Sequence, residues 1–163
     1  MPALDLNAIL HDPQVEGLVR VLVAGIVGAV IGLERELAGK PAGVRTYALI
    51  GMGSALFTVG AIEGFGSGDS GARVAAQIVT GIGFLGAGTI IHMRNRIVGL
   101  TTAAGMWAVA AVGMVVGAGL YILGIGSAVL LLLLLRFLRT RWLEDHNLVA
   151  HEDDGGQSSD ASD

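Results

Sequence analysis

Apolar residues in this chain do not alternate with polar ones. They come in long blocks, and the polar residues collect in the gaps between them. Three blocks are plain, at residues 18–33, 46–62 and 72–91. A fourth run extends from Leu100 to Leu135. At ~1.5 Å per residue it is far too long for one crossing of a ~30 Å hydrocarbon core. It divides most simply at Val116-Gly117-Ala118-Gly119 into two short helices, which a tilted, thinned or re-entrant arrangement would accommodate. The pattern predicts an all-α membrane protein, a compact glycine-rich bundle of about five transmembrane helices.

Helical spacing then sorts the small residues within the blocks. Gly25, Gly28, Ala29 and Gly32 share one face of the first, and Gly113 and Gly117 repeat the G-x-x-x-G interval in the fourth. In the third, Gln77, Gly81, Gly88 and His92 form one stripe at ~100° per residue, with Gly83 and Gly86 on the opposite side. Small faces let helix backbones approach closely. The third helix is therefore expected to take neighbours on both sides, one of them from a second copy in a homo-oligomer, most simply a dimer. A locally unwound third helix, with freed carbonyls along a pathway, is the functional alternative.

The glycines at residues 81–88, GIGFLGAG, also spell G-x-G-x-x-G. That fingerprint means dinucleotide binding only between a strand and a helix, with an acid about 20 residues further on. After Asp69 the next carboxylate is Glu144, so the context fails.

Composition agrees with the blocks. Charged residues make up 15% of the 163 residues, against ~25% in a soluble domain. Mean hydropathy is +0.69. Glycine, at 26 residues, is about twice its ordinary share of ~7%. With no cysteine, thiol chemistry and disulfides are excluded.

The net charge of −4 conceals a division, because seven of the fourteen acids lie between Glu144 and Asp163. With the N-terminus outside and the C-terminus cytoplasmic, the inner loops carry Arg35, Lys40, Arg45, Arg94, Arg96, Arg136, Arg139 and Arg141, eight of the ten basic residues. This is the positive-inside bias. The N-terminal sequence lacks the basic n-region of a signal peptide, so no cleaved leader is expected. Four regions follow: an extracytoplasmic segment at 1–17, the transmembrane domain at 18–135, a basic and aromatic interfacial anchor at 136–143, and a disordered acidic tail at 144–163. His146, His151 and Glu152-Asp153-Asp154 in that tail read as solvated charge rather than a metal site.

The candidate chemistry lies at the end of the first helix. Glu34 sits at the membrane boundary, where an ionisable group is costly unless paired. Arg45 is its expected partner across a short loop, with Arg35 at the same level and Glu36 on the glycine face. Thr46, Gln77, Thr101, Thr102 and Trp107 add polar or aromatic groups on the following helices. Two readings stay open: a structural ion-pair network, or a docking or cation-contact surface. No hydrolase arrangement is present, since Ser54 and Ser127 lack a nearby histidine. For magnesium, which prefers carboxylates and retained waters, the apolar body offers Glu34 as a weak candidate, with Glu36 and Glu63. No resident cofactor is expected, Mg2+ being the candidate ligand. The expected partners are membrane lipid, a second copy and another membrane protein, and no nucleic acid.

Three stretches together resemble the MgtC/SapB family of bacterial inner-membrane proteins: GAVIGLERELAGKPAGVRTYALIGMGSALF (28–57), RVAAQIVTGIGFLGAGTII (73–91) and GLTTAAGMWAVAAVGMVVGAGL (99–120). The resemblance implies a multi-pass plasma-membrane protein with about five spans and an association with magnesium limitation. It implies a regulator of other membrane proteins, the ATP synthase among them, although the family is often labelled a magnesium transporter. On matching positions its motif residues are Glu34, Arg35, Arg45, Thr46, Gln77, Gly81, Gly83, Gly86, Gly88, Thr101, Thr102 and Trp107. Thr101 stands where some virulence-associated members carry Asn, a departure that bears on the ATP synthase interaction. Those members also have a C-terminal ACT-type domain, whereas this sequence ends in an acidic tail, so regulation through such a domain is not expected.

Overall fold

The structure, a computed structural model, describes residues 12–64, 70–93 and 96–153, with side chains to Phe137 in the last helix. It contains five helices: α1 (Pro13–Leu37), α2 (Val44–Val59), α3 (Ser70–Gly88), α4 (Leu100–Gly117) and α5 (Tyr121–Asp153). A π-helical turn, Gly60–Gly64, prolongs α2. An antiparallel hairpin, β1 (Ile91–Met93) with β2 (Arg96–Val98), joins α3 to α4.

Helix α1 shows how the bundle is built. Asp12 accepts a hydrogen bond from the Gln14 amide and Pro13 opens the first turn, the usual start signals. Gly17, Val21, Ala24, Gly25, Gly28, Ile31, Gly32 and Arg35 are buried. Leu18, Leu22, Ile26, Val30, Leu33 and Leu37 are exposed. Small residues face inward and large apolar ones outward, the reverse of a water-soluble helix. Lipid tails are as apolar as leucine, so close packing of small residues governs association. Pro13–Leu37, Val44–Gly64 and Leu100–Gly117 are long and apolar enough to cross a bilayer, and Tyr121–Phe137 is a shorter apolar stretch. The chain is thus a helical membrane protein.

The core is a triad of α1, α2 and α4. Along α1, Gly25, Gly28 and Gly32 meet Met52, Tyr47 and Gly43–Val44 in turn, so α1 and α2 are antiparallel. Along α4, Gly105, Gly113 and Gly117 meet Tyr47, Gly51 and Ala55, so α2 and α4 run parallel. The contact is backbone to backbone. A Cβ added at Gly51 would lie 2.5 Å from the Ala24 carbonyl oxygen, and one at Gly113 would lie 2.5 Å from that of Gly51. Helix α3 is the return limb between the parallel pair and packs mainly on α4, with Gly86 over Ala103. The start of α5 folds back on α4, Gly124 against Val116.

Several expectations need correction. The third helix ends at Gly88 rather than residue 91, and His92 lies on β1, off the glycine stripe. The hairpin arises because Ile90-Ile91 and Ile97-Val98, β-branched and strand-forming, flank a two-residue connection. Helix α3 is unbroken over its 19 residues, so no unwound carbonyls line a pathway along it. The last helix does not stop at Glu144 but continues to Asp153, since no glycine or proline occurs between Ser127 and Gly155. Residues from Leu130 form a unit of their own, with Leu130, Leu133, Leu134 and Phe137 exposed. Residues 1–11, Asp69, Arg94 and the tail at 154–163 lie outside the described residues, as do the anchor side chains beyond Phe137.

Candidate functional site

At the last turn of α1, Arg35 lies on the small-residue face and is driven into the triad, where it is 2% exposed. A guanidinium at that depth requires a carboxylate. Glu34 supplies it: Arg35 Nε donates to Glu34 Oε2 and Nη2 donates to Oε1 at 2.7 Å. Adjacent residues on a helix do not normally face each other. The fork forms because the buried cation recruits the nearest acid. Tyr47, fully buried, lies within the electrostatic reach of the pair. Its hydroxyl donates to the Thr102 carbonyl at 3.2 Å, tying α2 to the start of α4. Gly105 leaves the room this requires, because a Cβ there would come within 2.6 Å of the Tyr47 oxygen.

The expected Glu34–Arg45 pair does not form. Arg45 points away from the triad, exposed, beside the α2–α3 groove. Glu36 occupies the near end of α2 instead, where its Oε2 accepts from the Val44 amide at 3.0 Å. That bond satisfies one of the orphan donors of the helix start. Glu36 does lie over α2 on the side where Gly32 meets Gly43 and Val44. Of the predicted rim, the fold gathers Glu34, Arg35 and Thr102 around Tyr47. It places Arg45, Thr46 and Gln77 along the groove instead. Thr101 and Trp107 are exposed on α4, the latter by 50%.

The glycines divide in the same way. Gly28, Gly32, Gly113 and Gly117 press on neighbouring backbone, and Gly86 has ordinary contact with α4. A Cβ at Gly81, Gly83 or Gly88 would meet nothing within 4 Å, so among the described residues α3 lacks the second neighbour expected for it. Gly81 and Gly88 line a groove of about 1440 Å³ between α2 and α3. Leu49, Phe57, Ile78 and Leu85 supply much of its wall, with Met106 of α4 beneath. Arg45 and Arg73 stand towards opposite ends, and no carboxylate is among its lining residues.

A second charged cluster, at the far end of the bundle, is one that sequence reasoning missed. Arg20 pairs with Glu16 one turn earlier and lies 3.8 Å from Glu63, which the π-helical turn carries. Its Nη1 donates to the Gly117 carbonyl at 3.3 Å, capping α4. A cation at a helix C-terminus answers the partial negative charge there. Gly119, at φ 82°, turns the chain beside the guanidinium. The i, i+4 spacing of Glu16 and Arg20 was the available signal.

The motifs that build the triad decide the family: the MgtC family model matches residues 21–143. The chain belongs to the MgtC family. It is 50% identical over 127 residues to "Putative magnesium transporter YhiD" of Escherichia coli (strain K12), covering 74% of this chain and 59% of that protein. It is 42% identical over 152 residues to Protein SrpB of Synechococcus elongatus, covering 82% of this chain and 84% of that one. With Protein MgtC of Salmonella typhimurium (strain 14028s) it shares 40% identity over 115 residues, 71% of this chain and 49% of that protein. The chain therefore spans 59% of the length of YhiD and 49% of that of MgtC. No solved structure matches.

Proposed function

We propose that this MgtC-family protein is a non-enzymatic modulator of other membrane proteins, acting from the Glu34 end of the bundle in response to magnesium limitation. The observation that carries this reading is where its acids go. Glu34 is held by Arg35, Glu36 by the α2 amide and Glu63 by Arg20. No group of three or more metal-ligating side chains occurs among the described residues. The triad closes backbone to backbone at Gly28, Gly51 and Gly113. The ordered Glu34–Arg35–Tyr47 knot gives a fixed inner end for a partner to engage, with Arg45 and Thr46 beside it. The positive-inside bias supports a cytoplasmic position for that end, with the N-terminus outside, and the family resemblance supports the bacterial inner membrane as its location. The ATP synthase is the partner the family resemblance offers, and the open faces of α3 supply a surface for a homodimer.

The second reading is a transporter or channel for magnesium or another small solute. The name carried by YhiD and the size of the α2–α3 groove favour it. Two arginines and no carboxylate along that groove oppose a divalent cation.

Magnesium flux into liposomes separates the two. The modulator reading expects flux equal to that of empty vesicles, with protein shown folded by circular dichroism. Saturable flux that is abolished in Glu34→Gln overturns it and makes the knot part of an ion path.

A further inference from the structure

The groove between α2 and α3 belongs neither to the knot nor to the triad, and it has a chemistry of its own. At about 1440 Å³ it exceeds the ~300–1,000 Å³ of an ordinary small-molecule pocket. Arg45 and Phe57 on α2 are 12 residues apart, so that wall runs for ~18 Å at 1.5 Å per residue. Arg73 and Gly88 on α3 are 15 residues apart, giving ~22 Å. Either wall is longer than one leaflet, which is half of a ~30 Å hydrocarbon core. Leu49, Phe57 and Leu85 within it are exposed side chains. Gly53 and Gly81 keep it wide, since a Cβ on either would meet nothing within 4 Å. Its polar groups stand towards both ends, Arg45 and Thr46 at the start of α2 with Thr89 after α3, and Arg73 and Gln77 in the first half of α3. Arg45 has no acidic partner among the described residues.

We infer that this groove binds one phospholipid with an anionic headgroup, its acyl chains lying along α2 and α3 and its phosphate at Arg45 and Thr46. Charge complementarity selects this occupant. The groove presents a guanidinium towards each end, Arg45 with the Thr46 hydroxyl next to it in sequence, an apolar length beyond one leaflet and no carboxylate. A diacyl anionic lipid has the matching anion and the matching apolar length. A second copy of the chain would have to answer Arg45 with a carboxylate. The carboxylates whose side chains are described are committed: Glu34 to Arg35, Glu36 to the Val44 amide, Glu16 and Glu63 to Arg20, Asp12 to the Gln14 amide. Two helices leaning apart without such an occupant would expose a slot that bulk lipid fills loosely, whereas a held headgroup fixes the slot at one width. The inference stands whether the protein modulates a partner or conducts a solute.

Native mass spectrometry of the detergent-purified protein tests it. Delipidated protein is titrated with phosphatidylglycerol and phosphatidylcholine of identical chains. One phosphatidylglycerol per chain is expected, retained about fivefold better than phosphatidylcholine, the equivalent of ~1 kcal/mol for one basic residue near an anionic surface. Arg45→Gln should abolish the preference while leaving the wild-type melting temperature. Gly53→Leu and Gly81→Leu should fill the groove and reduce retention of both lipids, again without loss of fold. Equal retention of the two lipids by the wild-type protein overturns the inference. So does a preference that survives both Arg45→Gln and Gly81→Leu. A lipid-free dimer that dissociates on Gly81→Leu also overturns it and assigns the groove to a second copy.

Discussion

The two flanks of α2 carry the same kinds of residue and meet opposite fates. On the flank towards α1 and α4, Gly28, Gly51, Gly113 and Gly117 bring carbonyls against Cα atoms. On the flank towards α3, Gly53, Gly81 and Gly88 leave space. A glycine in a membrane helix thus serves either to remove a gap or to create one, and composition alone does not distinguish the two. What separates them is the approach of the backbones. Gly51 lies against Gly113 and the helices close. Gly53 and Gly81 line one groove, yet a Cβ on either would meet nothing within 4 Å, and the helices stay apart.

The comparison can be broken most severely at Gly113. Gly113→Leu forces a side chain into the Gly51 carbonyl, where no rotamer can yield. Folded protein should be lost, since overpacking costs ~1–3 kcal/mol even where neighbours can move. Size-exclusion chromatography in detergent would check this, with Gly81→Leu as the matched control that elutes as wild type. Next in size is Glu34→Gln. Removing one partner of a buried pair costs ~3–5 kcal/mol, and replacing both by apolar groups is often neutral. Thermal melts should show a marked drop for Glu34→Gln and recovery of most of it in the double variant Glu34→Met, Arg35→Met. Tyr47→Phe should be milder, at ~0.5–1.5 kcal/mol for one hydrogen bond. Hydrogen exchange at the start of α4 should report it selectively. The smallest effect is expected of Gly83→Ala, within ~0.5 kcal/mol as for other open surface positions. A large loss there would mean that a second copy packs on this face of α3 closely enough to exclude a methyl group.

Much of this was legible in the sequence. The blocks placed four of the five helices to within a few residues, because length and apolarity are read without knowing any contact. The Gly28/Gly32 face was legible too, since the 3.6 period fixes which residues share it. The ion pair was not. Glu34–Arg45 was the expectation from loop length, but Arg35 shares the face of Gly28 and Gly32 and must go inward, which decides where Glu34 turns. That signal was available from the helical period and was given to Glu36 instead. The partner of Tyr47 could not be read, because it depends on α2 and α4 running parallel across an intervening span. Which glycines would face space was equally hidden, since periodicity names a face and says nothing of what covers it.

The parallel pairing of α2 and α4 also has a consequence in time. The α1–α2 hairpin can close as soon as it is made. The face of α2 that bears Tyr47, Gly51 and Ser54 then waits for a helix that ends 58 residues after α2 does. At ~5–20 residues per second of synthesis, that wait lasts roughly 3–12 s. For that interval a phenol, a serine hydroxyl and a glycine-lined backbone lie without their final cover. The nascent hairpin is thus a docking platform before it is part of a finished protein, and α4 is its intended occupant.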